Sequence, residues 1–307
     1  MENSAIIVRM LGGLGNQMFQ YALGRHLSII YKRPLKLDLG FYSSAAAKKR
    51  WAPRSFCLDH FSIQAQIAKD RDIEPFEKFL KLNLLSKILR HASGLGKYYK
   101  RSFIFEPPKN YFTFDPLLLT WPLKPVVYLD GFWQTEKYFS GIEEIIRNDF
   151  NFKDAPDAIN QKMIEEISSV DSVCLHVRHG DNATKVAAKH GVLPMQYYRE
   201  AVSGLIKIVK NPQFYIFSDD PKWAQENLQL NFPVFFVNHN GDEKNYEDLR
   251  LMSHCKHHII GNSTFSWWAA WLGKKPGQQV YAPKRYHMRD NIPTTDLYPQ
   301  TWKLINN

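Results

Sequence analysis

Between residues 5 and 38 the chain passes from an apolar stretch, AIIVRM, through LGGLG into a helical pattern, and then into PLKLDL. Strand, glycine turn, helix and strand in that order form a βαβ unit. A βαβ unit commits the chain to a parallel sheet, because two parallel strands need a long crossover between them. The helix reading rests on Phe19, Leu23, His26, Leu27 and Ile30, spaced three and four apart from a start at Asn16. Three glycines in the turn (Gly12, Gly13 and Gly15) allow positive φ and a close backbone approach. The helix start beyond them offers free N–H groups and a partial positive charge to an anion. The spacing is neither GxGxxG nor a P-loop. A tight turn packed under a helix is the plain alternative; Asn16 and Gln17 add polar groups that such a turn does not need.

The same alternation returns after residue 158, with strands at SVCLHV, QFYIFS, PVFFV, HHIIG and QQVYAP and helices between them. The helix PMQYYREAVSGLIKIV carries Pro194 at its start, where a missing N–H costs nothing. The polar, proline-bearing NFKDAPDA at 151–158 separates the two regions, which places two domains at 1–155 and 156–307. Between them, IEPFEKFLKLNLLSKILRH is expected to be one amphipathic helix with its lysines and arginine on the wet face. VVYLDGFWQTEKYF is expected to be a strand, a loop and a helix running to about Arg147. In parallel sheets ligands bind beyond the carboxyl ends of the strands, so the loops at 11–17, 176–184, 218–222 and 261–266 hold the candidate site.

HVRHGDN at 176–182 ends an apolar strand. His176 and Arg178 are two apart and fall on one side of an extended backbone. A guanidinium fork matches phosphate oxygens. Asp181 is either a base or the salt-bridge partner of Arg178. FSDDP ends another strand, where Asp219 or Asp220 caps the following helix or binds a ligand hydroxyl in preference to a metal. GNSTFSWWAAWLG opens a helix with Asn262, Ser263, Thr264 and Ser266, a second anion cradle; capping of a buried helix is the alternative, and the tryptophans read as core. Asp248, alone, reads as a solvated charge.

The whole composition bears on partners. The 307 residues carry 40 Lys and Arg against 30 Asp and Glu, a net charge of +10. That balance points to an anionic partner, yet no nucleic-acid recognition motif accompanies it. Cys57, Cys174 and Cys255 are too few and scattered for a disulfide framework or a zinc site. No signal peptide or membrane-spanning stretch is legible, so a cytoplasmic protein is expected.

GGLGNQMFQYALGR, HVRHGDN, FSDDP and DLRLMSHCKHHIIGNSTFSWWAAWLG, in this order, resemble the bacterial-type α-1,2-fucosyltransferases, glycosyltransferase family 11. The resemblance covers most of the chain, is strongest at 8–31 and 170–290, and is weak at 41–125. It implies a GT-B-like fold, two Rossmann-like parallel-sheet domains facing a cleft. The first would be the acceptor side and the second the GDP-fucose side, with the last residues packing back on the first. It implies GDP-β-L-fucose as donor, inversion, a β-galactoside glycan acceptor, free or lipid-linked, and neither cofactor nor metal. On the matching positions, Arg178 would hold the β-phosphate and His176 would line the nucleotide site. Asp181 would be the catalytic base and Asp248 would face the guanine. Asp219, Asn262, Ser263, Thr264 and Ser266 would bind the donor. Gly12, Gly13, Gly15, Asn16 and Gln17 would reach it from the other half. Two positions depart from the family pattern: His179 stands for a second arginine and Asn182 for a tyrosine. Peripheral membrane contact through the basic KYYKR (97–101) is a further expectation. The alternatives are another nucleotide-sugar donor and a non-catalytic glycan-binding protein.

Overall fold

The computed structural model describes residues 4–43, 55–92, 101–179, 191–287 and 292–307. The chain divides into two compact units. One comprises residues 1–153 with 295–297, the other residues 154–294 with 298–307. The division falls two residues before the expected boundary. Of the C-terminal residues, Thr295–Leu297 belong to the first unit and Tyr298–Asn307 to the second.

The first unit is built on a five-stranded parallel sheet in the order β3-β2-β1-β5-β4. Its strands are β1 (Ala5–Arg9), β2 (Leu35–Asp38), β3 (Gln66–Ile67), β4 (Phe103–Phe105) and β5 (Val126–Asp130). β1 lies at the centre, and Ile6, Ile7 and Val8 are buried, as a strand covered on both faces requires. Helix α1 (Leu14–Tyr31) lays Met18, Phe19, Leu23 and Leu27 into the core. Each such side chain contributes about 1.5–3 kcal/mol of burial. Gly24 is what allows the close seat: a Cβ there would lie 2.6 Å from Val8 Cγ2 and 2.8 Å from Leu35 Cδ1. Tyr21 and Arg25 on α1 both bond Asp149, at 2.7 and 2.8 Å, which ties α1 to the helix Glu143–Asp149.

Two expected helices are broken. The stretch from Ile73 becomes short turns at Asp70–Ile73, Glu74–Phe76 and Glu77–Leu80, followed by a separate helix, α2 (Leu84–Ala92). Pro75 sits in the second turn, and the Asn83 side chain takes the Ser86 N–H at 2.8 Å, starting α2 anew. Lys78 and Lys81 are exposed as expected, but within α2 the wet face is reversed. Lys87 is buried and reaches Asp130 Oδ2 at 2.6 Å, while Leu84, Leu85 and Leu89 are exposed. Similarly, the run into Arg147 stops at Gly141, φ +91°, between the turn Glu136–Phe139 and Glu143–Asp149.

The second unit holds a six-stranded parallel sheet in the order β11-β10-β9-β6-β7-β8. The strands are β6 (Asp171–Val177), β7 (Pro212–Ser218), β8 (Val234–Val237), β9 (His257–Ile259), β10 (Val280–Pro283) and β11 (Lys303–Ile305). Three-residue β11 carries no periodicity of its own and was not expected. Helices at Ala158–Ser169, Met195–Leu205, Pro221–Asn227, Asn245–His254 and Thr264–Leu272 connect the strands. In the last, Trp267, Trp268 and Trp271 pack on one another and are buried.

Candidate active site

The second sheet changes winding direction between its neighbouring strands β6 and β9. From β6 the chain steps outward to β7 and β8; from β9 it steps the other way to β10 and β11. Chain segments leaving the carboxyl ends of β6 and β9 therefore diverge and leave a crevice. His176 lies near the end of β6 and Arg178 and His179 follow it; Gly261, Asn262 and Ser263 follow β9.

Val177 pairs in register with Ser218, so the residues that follow on each strand come level. Arg178 Nε lies 3.4 Å from Asp219 Oδ2, and Asp219 Oδ1 accepts the His179 N–H at 2.8 Å. Asp220 has a different task. It caps the helix Pro221–Asn227 by accepting the Trp223 N–H at 3.1 Å, and its other oxygen meets His179 Nδ1 at 2.9 Å. The Trp223 N–H, and then His179, hold the Asp220 carboxyl below the usual carboxylate range. His179 in turn stacks on Trp223, ring centroids 4.1 Å apart. His179 is thus tied to both Asp220 and Trp223.

His176 is buried, with Phe265 beside its ring. Burial, and then the Arg178 charge, push its imidazole down to about 4, so it is neutral at pH 7. Its Nδ1 has no hydrogen-bond partner among the described residues. Gly261 packs closely beside it: a Cβ there would lie 3.1 Å from His176 O, 3.2 Å from Nδ1 and 3.6 Å from Arg178 Cβ. That contact also brings Arg178 next to the start of the helix Thr264–Leu272.

Ser263 caps this helix, its Oγ accepting the Phe265 N–H at 3.3 Å. The buried Ser266 hydroxyl donates to Ser263 O at 3.3 Å and so serves the cap. Thr264 bonds the Tyr286 phenol, which burial pushes up to about 12 against the pull of nearby Arg178. Asn262 Nδ2 donates to Gly191 O at 3.1 Å and Tyr286 O at 3.2 Å, so its amide protons hold two loops in place. The guanidinium, the helix start and the Thr264 hydroxyl form one corner whose chemistry suits an anion. At this corner the Asn262 amide protons are engaged by the Gly191 and Tyr286 carbonyls and the Ser266 hydroxyl by Ser263 O.

Asp248 stands apart. It accepts from Asn240 Nδ2 at 2.7 Å, Asn240 exchanges hydrogen bonds with Asn160, and His239 Nε2 meets Asn160 Oδ1 at 3.0 Å. His239 and Asn240 follow β8, while Asp248 lies in the helix Asn245–His254 and Asn160 in the helix Ala158–Ser169. Asn160 and Asn240 were missed because a lone asparagine carries no spacing signal.

The glycine turn belongs to the first unit. Gly12 has φ +76°, and a Cβ there would lie 2.5 Å from Asn16 Nδ2. Gly13 caps α1 and Gly15 is buried in its first turn. Asn16 Oδ1 accepts from Gln134 Nε2 at 2.8 Å. Gln17 is fully buried. Its Nε2 donates to Gly12 O and Ser55 O, at 3.2 and 2.8 Å, and its Oε1 accepts the Cys57 N–H at 2.9 Å. With every amide proton occupied, Gln17 braces the turn and does not face a ligand, which corrects its expected role. Asp181 and Asn182 lie outside the described residues. Among the described residues no group of three or more His, Cys, Asp or Glu could hold a metal ion.

The family described as Glycosyl transferase family 11 matches residues 75–306. The chain is 31% identical to an alpha-1,2-colitosyltransferase of Escherichia coli, over 98% of this chain and 99% of the relative. It is 25% identical to a galactoside 2-alpha-L-fucosyltransferase of Caenorhabditis elegans, over 66% of this chain and 59% of the relative. Among solved structures, the fucosyltransferase NodZ from Bradyrhizobium aligns with a TM-score of 0.54 at 15% identity, covering 89% of this chain and 94% of the other. That likeness, with two parallel-sheet α/β units, makes the fold GT-B-like.

Proposed function

This chain belongs to glycosyltransferase family 11, and on that premise we propose that it transfers L-fucose from GDP-β-L-fucose to the 2-hydroxyl of a terminal β-galactoside, with inversion and without a metal. The observation that carries the reading is the pairing of Arg178 with Asp219 beside the start of the helix Thr264–Leu272. Charge builds on the diphosphate as the bond to the fucose anomeric carbon breaks in line with the incoming hydroxyl. A guanidinium already oriented by Asp219, and a helix start, stabilise that charge at no cost of reorganisation. The Thr264 hydroxyl supplies a further hydrogen bond. Neutral His176 lines the corner without competing for the phosphate. The nucleoside extends from this corner toward β8, where Asp248, held by Asn240, faces the base. Asp181, by its place in the motif, takes the proton of the acceptor hydroxyl.

The match to the E. coli colitosyltransferase favours a second reading, in which the donor sugar is colitose. Both share the diphosphate site and differ in the sugar pocket. No described helix is long and apolar enough to cross a membrane. We place the activity in the cytoplasm, on an acceptor glycan that is free or lipid-linked at the inner membrane face.

The test is GDP release from GDP-fucose in EDTA, with lactose or N-acetyllactosamine as acceptor, for the wild type and Arg178→Ala. Acceptor-dependent release that drops by about 10²–10³-fold in Arg178→Ala is expected. Release from GDP-colitose alone would hand the donor to the second reading. Full activity of Arg178→Ala would overturn the assigned site. Glycan binding without release from any donor would make the protein a non-catalytic binder.

A further inference from the structure

β4 runs out of the first sheet at Phe105 into Glu106 and Pro107, and beside it lies a cavity of about 170 Å³. Aromatic side chains of Phe105, Phe114, Trp133 and Tyr138 line it, with Glu106 and the exposed Thr113. Glu106 is buried. Its Oε2 accepts two backbone N–H groups, Phe132 at 2.6 Å and Trp133 at 2.9 Å, while its Oε1 has no hydrogen-bond partner among the described residues. Gly131 makes room for it, since a Cβ there would lie 2.4 Å from Glu106 Cβ. Trp133, whose N–H the carboxyl holds, sits at φ +49°, a left-handed conformation that costs about 1–2 kcal/mol for an L-residue. A buried oxygen without a partner is also costly. Strained backbone and an unsatisfied acceptor at one cavity wall mark a place that a ligand completes.

The space is smaller than the roughly 300–1,000 Å³ of sites for drug-sized molecules, which suits a single ring. Burial pushes the Glu106 carboxyl up to about 8, against the two N–H groups that favour its charge. A group neutral at pH 7 is a poor cation ligand. A hydroxyl fits it in either state, because it accepts from the acid and donates to the carboxylate.

We propose that this cavity is an acceptor subsite that takes one hexopyranose ring of the glycan, with Glu106 Oε1 bonded to a ring hydroxyl. The subsite rests on the transferase reading for its biological ligand, and its occupancy can be measured without turnover. The probe is methyl β-D-galactopyranoside, followed by saturation-transfer NMR on the wild type, Thr113→Trp and Glu106→Gln. Thr113→Trp closes the exposed rim; Glu106→Gln keeps an oxygen for the Phe132 and Trp133 N–H groups. In parallel the acceptor KM is measured with GDP-fucose. Loss of the galactoside signal in Thr113→Trp is expected. So is an acceptor KM raised at least tenfold in both variants, against a donor KM shift below twofold. An acceptor KM within twofold of wild type in an active enzyme overturns the subsite and leaves the fucosyltransferase reading standing. Galactoside binding that Thr113→Trp abolishes, in a protein that releases no GDP, supports the subsite and sinks that reading. No galactoside signal in the folded wild type overturns the subsite.

Discussion

Arg178 Nε lies 3.4 Å from Asp219 Oδ2, two side chains that leave adjacent parallel strands at the same level. Such a pair fixes the guanidinium at the carboxyl ends of the two strands. Replacing the carboxylate with an amide keeps the His179 N–H acceptor and removes only the charge that orients the arginine. Asp219→Asn should therefore lower kcat/KM about tenfold, or about 1.4 kcal/mol. Arg178→Ala should cost about 10²–10³-fold. Steady-state GDP release measures both, and an Asp219→Asn enzyme as slow as Arg178→Ala would mean that Asp219 itself touches the donor.

The brace formed by Gln17 is a stability device. Gln17→Leu keeps the volume, leaves the buried Cys57 N–H without its partner, and takes one donor each from the Ser55 and Gly12 carbonyls. A stranded buried N–H costs about 1–3 kcal/mol. The urea midpoint of the first unit should fall, and hydrogen exchange should speed up at the Cys57 amide. An unchanged midpoint would show that water reaches these groups.

Strand–turn–helix alternation was legible throughout the second unit because buried parallel strands read as apolar runs and their helices as three-and-four spacings. The same pattern singled out Arg178, Asp219 and the helix start at Ser263, since each follows a strand end. Three things were hidden. Gln17 looks like a ligand-facing amide in sequence, and only Ser55 and Cys57, about 40 residues away, reveal it as a brace. Lys87 looks like surface until Asp130 is found beneath it, which is also why α2 turns its leucines outward. Glu106 has no motif: its character comes from Gly131, Phe132 and Trp133 on the next strand's exit.

Glu106 makes the first unit sensitive to alkali. Its carboxyl titrates at about 8 in the folded chain, above the ordinary 4.5. Between those values the folded state holds a proton that the unfolded chain has lost. Stability therefore falls by about 1.4 kcal/mol per pH unit as pH rises through that window, and levels off above it. Neighbouring Tyr111, Asp115 and Tyr138 bear no positive charge to offset the carboxylate. Urea midpoints of the first unit at pH 6 and 8 should differ in wild type and much less in Glu106→Gln. Equal slopes in the two would assign the loss to another group.

The second unit should be sensitive in the opposite direction. His258 is fully buried, with Nε2 at 2.9 Å from Met252 O and Nδ1 at 3.1 Å from Gln278 Nε2. These partners suit one neutral tautomer, which donates from Nε2 and accepts at Nδ1. A second ring proton would face the Gln278 amide protons. Burial pushes His258 down to about 3 and His176 to about 4, below the ordinary 6.5. Both are depressed bases, so their stability is complete above pH 6.5 and is lost as pH falls toward 4, where the unfolded chain takes up protons that the folded one refuses. Each histidine contributes a slope of about 1.4 kcal/mol per pH unit in that window. Hydrogen exchange at β6 and β9 amides, corrected for intrinsic rates, should report less protection at pH 5 than at pH 7. His258→Gln offers Met252 O a donor and Gln278 an acceptor without titrating, and it should reduce the slope by one proton's worth. Equal protection at both pH values in wild type would show that these rings are charged, or hydrated, in the folded protein.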